Sequence, residues 1–381
     1  MSPNIELDSC LSVSIFGSYH CRPLFIHPQN CLLFDKIIIW GFGQVGRSAL
    51  QIINARKSLQ LVGVYDVDPN KVGKDAGEIY GLGHAGVNVT DDVEKLLNTE
   101  ADIVLYYPST KWDEGKLPSP TSVTGNVDDI VMFLEHGKNV SSTLPVFFSE
   151  KNAPEYFKRI DEAGKAHGTT YTQQGIFPGL FTPYFSSITA MFSRRIDTAI
   201  VYGGEDDSVN SAPWIAVFGY GKKPEDISAQ RLAVVKNIIF TYYGPTVIEM
   251  AERAGLEWDT YSCEEETILS QEEVTTPYAH VLPGTIGAHK FTMCTKKDGK
   301  EVTGFHFIHK ASANILKELP LDKYIAIKGE PDVTVRLENI IPDEDPFLTS
   351  AAPSINLIPS IVDAEGGYKN ALDIPMGYMP R

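Results

Sequence analysis

The sequence predicts an α/β protein. A doubly wound parallel sheet comes first, and an α+β region with an open, mostly antiparallel sheet follows. Three observations carry this expectation. Apolar strand-like runs alternate with helix-period segments from Ile37 to Gln173. Glycine-bearing turns follow two of those runs, at Gly41 to Gly46 and at Gly175 to Gly179. Beyond about residue 190 the alternation stops, and helical stretches lead into strand runs with an Asp-Gly hairpin signal at Lys297-Asp298-Gly299-Lys300.

The first element is Ile37-Ile38-Ile39-Trp40, three β-branched residues and an aromatic, suited to a strand buried on both faces. It runs directly into Gly41, Gly43 and Gly46. In that spacing the first glycine permits a tight turn, the second lets a ligand approach the backbone, and the third lets the next helix pack closely. The helix begins near Gln44 and carries Val45, Ala49, Leu50, Ile52 and Ile53 at helical spacing. Its free N–H groups and positive dipole end face the loop, ready for a pyrophosphate. Leu61 to Tyr65 is the next strand and ends at Asp66, twenty residues beyond Gly46, where a carboxylate would take the ribose hydroxyls of a dinucleotide. Strand, loop, helix, strand and acid in this order predict a Rossmann-type NAD(P)-binding domain. Gly41, Gly43, Gln44, Val45, Gly46 and Arg47 would line the cofactor. Asp66 favours NAD by repelling a 2′-phosphate, while Lys71, Lys74 and Arg47 soften that preference and leave dual use open.

The alternation continues. Asp91 to Leu97 is a helix with Thr90 or Asp91 as cap. Ala101 to Tyr107 is a strand that runs into Pro108, Ser109 and Thr110 at the carboxyl edge of the sheet, where ligands of such sheets bind. A long loop from Lys111 to Gly125 precedes a helix from Val127 to His136, and Asn139 to Thr143 is a short strand. Glu155 to His167 is an amphipathic helix ending at Gly168, and Thr169 to Gln173 is a further strand. Gly175-Ile176-Phe177-Pro178-Gly179 then points backbone N–H groups past the sheet edge, although a plain strand-to-helix turn has the same pattern. Helices are expected over Ser228 to Phe240, Thr246 to Ala254 and Pro353 to Asp363. A two-residue turn at Asp298-Gly299 would place Phe291 opposite His306 and His289 opposite Ile308. It also puts His306 and His309 on opposite faces, which excludes a shared metal site. Both faces of this hairpin carry apolar residues, so both are expected to be covered, one by a second subunit.

The 381 residues divide by expectation into an N-terminal extension (1–35), a Rossmann domain (36–185), a substrate and dimerisation domain (186–348) and a closing helix and tail (349–381) that returns to the Rossmann domain. A hydrophobic fraction of 43% supports a real core. The net charge of −16 argues against nucleic acid and anionic membrane as partners. Five cysteines, at 10, 21, 31, 263 and 294, lack metal spacing and are read as reduced thiols of a cytoplasmic protein. No apolar run is long enough to cross a bilayer, and the extension is a poor secretory signal.

Several stretches bear a family likeness: IIIWGFGQVGR, YDVDPNKVGKDAGEIYG (65–81), GKNVSST (137–143), GIFPG (175–179), PGTIGAHKF (283–291) and TSAAPSINLIPSIVDAEGGY (349–368). On these, the chain from Ile37 onward, about nine tenths of the whole, resembles the 2,4-diaminopentanoate dehydrogenases and related amine dehydrogenases, distant relatives of dihydrodipicolinate reductase. The resemblance implies a homodimer and NAD(P)-linked chemistry on an amine or carbonyl. It places Thr143 and Asn356 with Pro108 and Ser109 among the cofactor residues. Tyr171, Ile176, Phe177 and His309 are candidates for the substrate pocket. In the amine dehydrogenases a glutamate of the first domain carries catalysis, and Glu114 is the only glutamate in the loop after the Tyr107 strand, which makes it the candidate acid–base. Some relatives carry acids after the Asn139 strand; Leu144-Pro145-Val146-Phe147-Phe148 stands there and suits a small apolar substrate. The expected activity is reductive amination of small aldehydes and ketones with ammonia. The alternatives are a carbonyl reductase or alcohol dehydrogenase on the same fold, and a non-catalytic dinucleotide sensor.

Overall fold

The computed structural model describes residues 35–376, apart from 211 and 343. The N-terminal extension, with Cys10, Cys21 and Cys31, therefore lies outside the described residues up to Asp35, which opens the first strand. Cys263 and Cys294 are free thiols.

β1 (Asp35–Trp40) runs into α1 (Gln44–Asn54), and β2 (Leu59–Tyr65) follows. Next come α2 (Ala76–Ile79), β3 (Val89–Thr90), α3 (Val93–Leu97), β4 (Ile103–Tyr106) and α4 (Thr124–Glu135). β5 (Asn139–Ser142), α5 (Ser149–Asn152), α6 (Pro154–His167) and β6 (Thr170–Gln173) complete the first half. The cap of α3 is Asp92, one residue past the predicted position. Its carboxylate accepts the Lys95 N–H at 3.0 Å, while Thr90 is held in β3 beside Tyr65.

The second half contains α7 (Tyr184–Ala190), β7 (Arg195–Asp206), α8 (Ala212–Phe218), α9 (Ala229–Ala254) and β8 (Thr260–Leu269). β9 (Val274–Thr275) and β10 (His280–Val281) pair with each other. β11 (Ile286–Lys297), β12 (Lys300–Lys310), β13 (Lys323–Glu330) and β14 (Val333–Leu337) follow. The chain closes with α10 (Leu348–Asn356), α11 (Ile358–Val362) and β15 (Gly367–Lys369).

The first sheet is parallel throughout, in the order β15-β6-β5-β4-β1-β2-β3. Strand order reverses between β1 and β4, so a crevice opens at their carboxyl ends. One face buries Ile37, Ile39, Leu50 and Ile53 with Ile355 and Ile358 of the closing helices. The other buries Ile38, Val104, Ile130 and Phe133 against α4 and α6. This double cover explains why the strands read as continuous apolar runs. The second sheet has the order β14-β13-β7-β12-β11-β8; only β7 and β12 run parallel. Phe291, Met293, Phe305 and Phe307 line its inner face under Val235, Ile239, Tyr243 and Val247 of α9.

Three sequence expectations are corrected. The two helices expected around Gly244-Pro245 are one 26-residue helix, α9. Pro245 lacks an N–H to donate, but the middle of α9 is buried from Tyr243 to Ala251, and that packing outweighs the local break. In the hairpin a register shift between Thr295 and Lys296 skips one residue, so Phe291 faces Phe307 and His289 faces His309. The bulge sets these aromatic residues on the covered face together, and the Thr295 and Thr303 hydroxyls bond at 2.7 Å beside it. The closing helix starts earlier, at Leu348, and breaks at Leu357 before Pro359, whose ring suits the first turn of a new helix.

Candidate active site

Gly41 leaves β1 with φ +96°, and a Cβ there would lie 2.5 Å from the Pro108 nitrogen. The glycine thus lets the ends of β1 and β4 close at the point where strand order reverses. Gly43, two residues on, is exposed, and a Cβ there would meet nothing within 4 Å. That open approach, at the N-terminus of the 11-residue α1, fits a dinucleotide pyrophosphate. Asp66 stands beyond β2. Its carboxylate accepts the Phe42 N–H at 3.2 Å, the Asp68 N–H at 2.9 Å and the Lys71 ammonium at 2.8 Å. Burial opposes its ionisation, but the Lys71 ammonium and these N–H bonds outweigh burial and hold the carboxyl below its ordinary range. Lys71 also donates to the Phe42 carbonyl at 2.8 Å, tying the acid to the glycine loop.

A cleft of about 620 Å³ runs from this loop to the second sheet, within the usual size of a ligand site. Val45, Thr143, Gly175, Ile176 and Phe177 line it from the first half, and Glu205, Tyr242, Tyr243 and Lys323 from the second. Glu205, at the end of β7, is the cross-strand partner of His309 on β12. Carboxylate oxygens of Glu205 and Asp207 and a ring nitrogen of His309 lie within 4.8 Å of one another. Asp207 is fully committed: it accepts from the Tyr220 hydroxyl at 2.5 Å and the Asn210 amide at 2.7 Å, and it faces His309 Nδ1 at 3.3 Å. Burial disfavours the charged imidazole, yet the Asp207 carboxylate outweighs it and raises the His309 pKa. Burial also pushes the Glu205 carboxyl above its ordinary range, with Asp207 adding to the rise, and His309 and Lys323 only partly oppose it. The Lys323 ammonium donates to the Gly204 carbonyl at 2.6 Å, and burial lowers its pKa.

Residues 35–111 match the family described as dihydrodipicolinate reductase, N-terminus, and residues 221–379 match the 2,4-diaminopentanoate dehydrogenase C-terminal domain. The chain is thus similar, over its C-terminal part, to the 2,4-diaminopentanoate dehydrogenases. It is an NAD(P)-dependent oxidoreductase. The dehydrogenase is 25% identical over 357 residues to an amine dehydrogenase of Streptomyces virginiae, covering 89% of this chain and 96% of that one. A 4-hydroxy-tetrahydrodipicolinate reductase of Archaeoglobus fulgidus is 39% identical over 70 residues, 18% of this chain and 24% of that protein. Among solved structures, an amine dehydrogenase from Mycobacterium smegmatis shares the fold with a TM-score of 0.70 at 19% identity, covering 91% of this chain and 98% of that chain.

The dehydrogenase brings together many of the residues predicted for the site. Gly41, Gly43, Gln44, Val45 and Gly46 form the loop and first turn of α1, with Asp66 and Lys71 beside Phe42 and with Pro108 against Gly41. Ser109 follows Pro108 and is exposed, and Thr143, Ile176 and Phe177 line the cleft. Arg47 is turned to Asp345, 3.7 Å away, which also accepts from the Ser48 hydroxyl at 2.7 Å. Four residues lie elsewhere. Asn356 accepts from Arg56, which follows α1 at the end away from the glycine loop. Tyr171 is fully buried in the first sheet, where its hydroxyl donates to the Val146 carbonyl at 3.1 Å, because β6 points it into the core with Tyr368 rather than past the sheet edge. Glu114 is exposed on the long loop and is absent from the cleft lining; the neighbouring Asp113 accepts the Thr124 N–H at the start of α4 at 3.0 Å. His309 is fully buried, stacked on Phe218 behind Glu205.

The sequence reading missed Glu205, Asp207, Tyr242, Tyr243 and Lys323. A signal was present: Gly203-Gly204-Glu205-Asp206-Asp207 puts two glycines and three acids at the end of an apolar strand run. Lys323 carries no local signal, since only the neighbouring β7 and β13 bring it to Gly204. A second acidic group, Asp75, Glu78 and His84, is explained without a ligand. The Asp75 carboxylate accepts N–H bonds from Gly77, Glu78, Ala85 and Gly86 and so builds the turn.

Proposed function

We propose that the protein is an NAD(P)H-dependent amine dehydrogenase that aminates small aldehydes and ketones with ammonia and deaminates amines in reverse. The observation that supports this best is the cleft itself. It joins the nucleotide edge of the first sheet to a half-buried carboxylate on the second, with apolar and tyrosine walls between. Likeness to the Streptomyces virginiae enzyme along nearly its whole length agrees with it. The glycine loop, the N-terminus of α1 and the Asp66–Lys71 pair would hold the cofactor, which supplies the hydride when bound. Asp66 favours NAD, and Lys71 at 2.8 Å offsets enough of its charge for NADP to be accepted as well.

The remaining chemistry belongs to this chain. Phe177 and Tyr243, which pack edge to face at 6.3 Å, would orient an apolar carbonyl substrate and keep water from its carbon. Lys323 is the only cation lining the cleft among the described residues, and it is bonded to Gly204 beside Glu205. Among the described residues the lining holds no arginine, and its apolar and tyrosine walls suit a carbonyl compound or amine without an α-carboxylate.

We also propose a homodimer through the outer face of the second sheet. That face carries Tyr202 stacked on Tyr324 at 4.4 Å, His306 against Tyr202 and Arg336 over Tyr324, all outside the cover of α9.

A carbonyl reductase is the second reading. It draws on Tyr243, whose hydroxyl stays protonated because burial raises its pKa far above the ordinary value, and a neutral phenol can donate to a developing alkoxide. The separating experiment follows NADH and NADPH consumption on a panel of short aldehydes and ketones at alkaline pH, with and without a large excess of ammonium. Consumption only with ammonium, and an amine product by mass spectrometry, is the expected result. Consumption without ammonium, giving the alcohol, would establish the reductase.

A further inference from the structure

Glu205 combines three properties that no other acid of the cleft shares. It lines the cleft, it is half-buried, and among the described residues no hydrogen bond ties up its carboxylate. Asp207 is spent on Tyr220, Asn210 and His309. The Asp206 carboxylate accepts the Ser208 N–H at 2.9 Å. Glu114 is exposed outside the lining. We propose that Glu205 is the acid–base residue of the reaction. The proposal rests on the amine dehydrogenase reading above.

The proton traffic balances at this one carboxyl. Ionised Glu205 takes a proton from an ammonium ion, which leaves ammonia and a carboxylic acid. The nitrogen lone pair of ammonia attacks the carbonyl carbon, a C–N bond forms, and proton transfer within the adduct gives the neutral carbinolamine. The protonated Glu205 then gives its proton to the carbinolamine hydroxyl as the C–O bond breaks. Water leaves, the nitrogen lone pair becomes the second bond of a C=N⁺ iminium, and Glu205 is again a carboxylate beside that positive charge. Reduction of the iminium carbon takes a hydride, and the amine that results picks up one proton from solvent.

The surroundings suit this cycle. The groups that face Glu205 are Asp207 after β7, His309 on β12, Lys323 on β13, Tyr243 on α9 and Tyr220 after α8. Burial and Asp207 raise the basicity of Glu205, bringing it nearer to that of ammonia, while His309 and Lys323 keep part of the carboxylate ionised. His309 is buried and hydrogen-bonded to Asp207, so its charge stays fixed behind Glu205 and out of reach of the substrate. A carboxylate directly beside the substrate also stabilises the iminium more than it does the neutral ketone.

The test compares wild type with Glu205→Gln, Glu205→Asp and Glu114→Ala, using the best carbonyl of the panel and saturating NADH at fixed free ammonia across pH. NADH binding is followed by fluorescence and thermal unfolding is followed at each pH. Glu205→Gln is expected to lose about 100-fold or more in kcat. It should bind NADH as wild type does and lose the acidic limb of the kcat profile, while Glu205→Asp recovers part of the rate. Stability provides a readout independent of turnover. A carboxyl with a raised folded pKa contributes stability that is lost as pH rises through that value, so Glu205→Gln should melt higher than wild type at alkaline pH and lose that advantage in acid. Wild-type activity with ammonium, but an unchanged rate and pH profile in Glu205→Gln, overturns this assignment and leaves the amine dehydrogenase reading standing. Loss of turnover in Glu114→Ala with Glu205→Gln active returns the role to Glu114. Absence of ammonium-dependent turnover in wild type removes the reading and this proposal with it.

Discussion

Gly41 and Gly43 stand two residues apart and are glycines for different reasons. Gly41 needs its φ of +96° and has backbone within 2.5 Å of any Cβ, so it serves the fold. Gly43 has ordinary φ −85° and open space around it, so nothing in the chain itself demands a glycine there. Gly43→Ala is therefore expected to leave the melting temperature close to wild type while weakening NADH binding by about tenfold, roughly 1.4 kcal/mol. Fluorescence titration with NADH, set beside a melting curve, checks both halves. Asp66 gives a second residue-scale expectation. Replacing it with Asn removes the charge that opposes a 2′-phosphate and leaves Lys71 without its ion-pair partner. The ratio of kcat/KM for NADPH to that for NADH should rise about tenfold. An unchanged ratio would show that selectivity resides elsewhere.

At the scale of elements, α9 shows how burial overrides local signals. Its Gly244-Pro245 pair reads as a break, yet the helix runs on because its middle seals the inner face of the second sheet. The same helix buries Glu249 completely, with Arg253 3.4 Å away as its counter-ion, and burial pushes its carboxyl up to about 8. The sign of the pH effect follows. The unfolded carboxyl ionises near about pH 4. The folded one ionises only at about 8, so stability is full in acid and is lost as pH rises through that interval. Glu249→Gln should match wild type below about pH 4 and gain an increasing advantage in melting temperature up to about pH 8, where the difference levels off. A difference that does not vary with pH would mean that Glu249 is not held neutral. The β11–β12 hairpin makes a related point. Its turn was legible in Asp298-Gly299, but its register was not, because the bulge near Thr295 is set by packing of Phe291 and Phe307 under α9.

At the scale of the whole molecule, the cleft exists because strand order reverses between β1 and β4 while β7 ends at the same crevice. The closing segment binds the two halves of the chain. β15 joins the first sheet beside β6, and the Tyr184 hydroxyl of α7 donates to the Ala371 carbonyl just beyond it. The proposed homodimer is tested at this scale. Light scattering after size exclusion should give twice the mass of one chain, and Tyr202→Glu, which sets a charge on the outer face of the second sheet, should yield the monomer. A monomeric wild type would reject the interface.

The nucleotide half was legible because its physics is local. A strand buried on both faces, a glycine turn and a helix N-terminus each leave a mark within about a dozen residues, and Asp66 falls at a fixed distance beyond them. By itself the sequence determined the fold class, the glycine loop and its acid, and the turn at Ile176 and Phe177 that reaches the cleft. It pointed to Glu114 for the reaction because loop position and family likeness were the only guides available. Tertiary structure decided the rest of the site. Glu205, His309 and Lys323 are separated by more than a hundred residues from end to end, and only the parallel β7–β12 pairing and the antiparallel β7–β13 pairing bring them together. The same pairing buries Asp207 and raises the Glu205 carboxyl. A carboxyl's basicity depends on what surrounds it in space, and residues distant along the chain supply those surroundings.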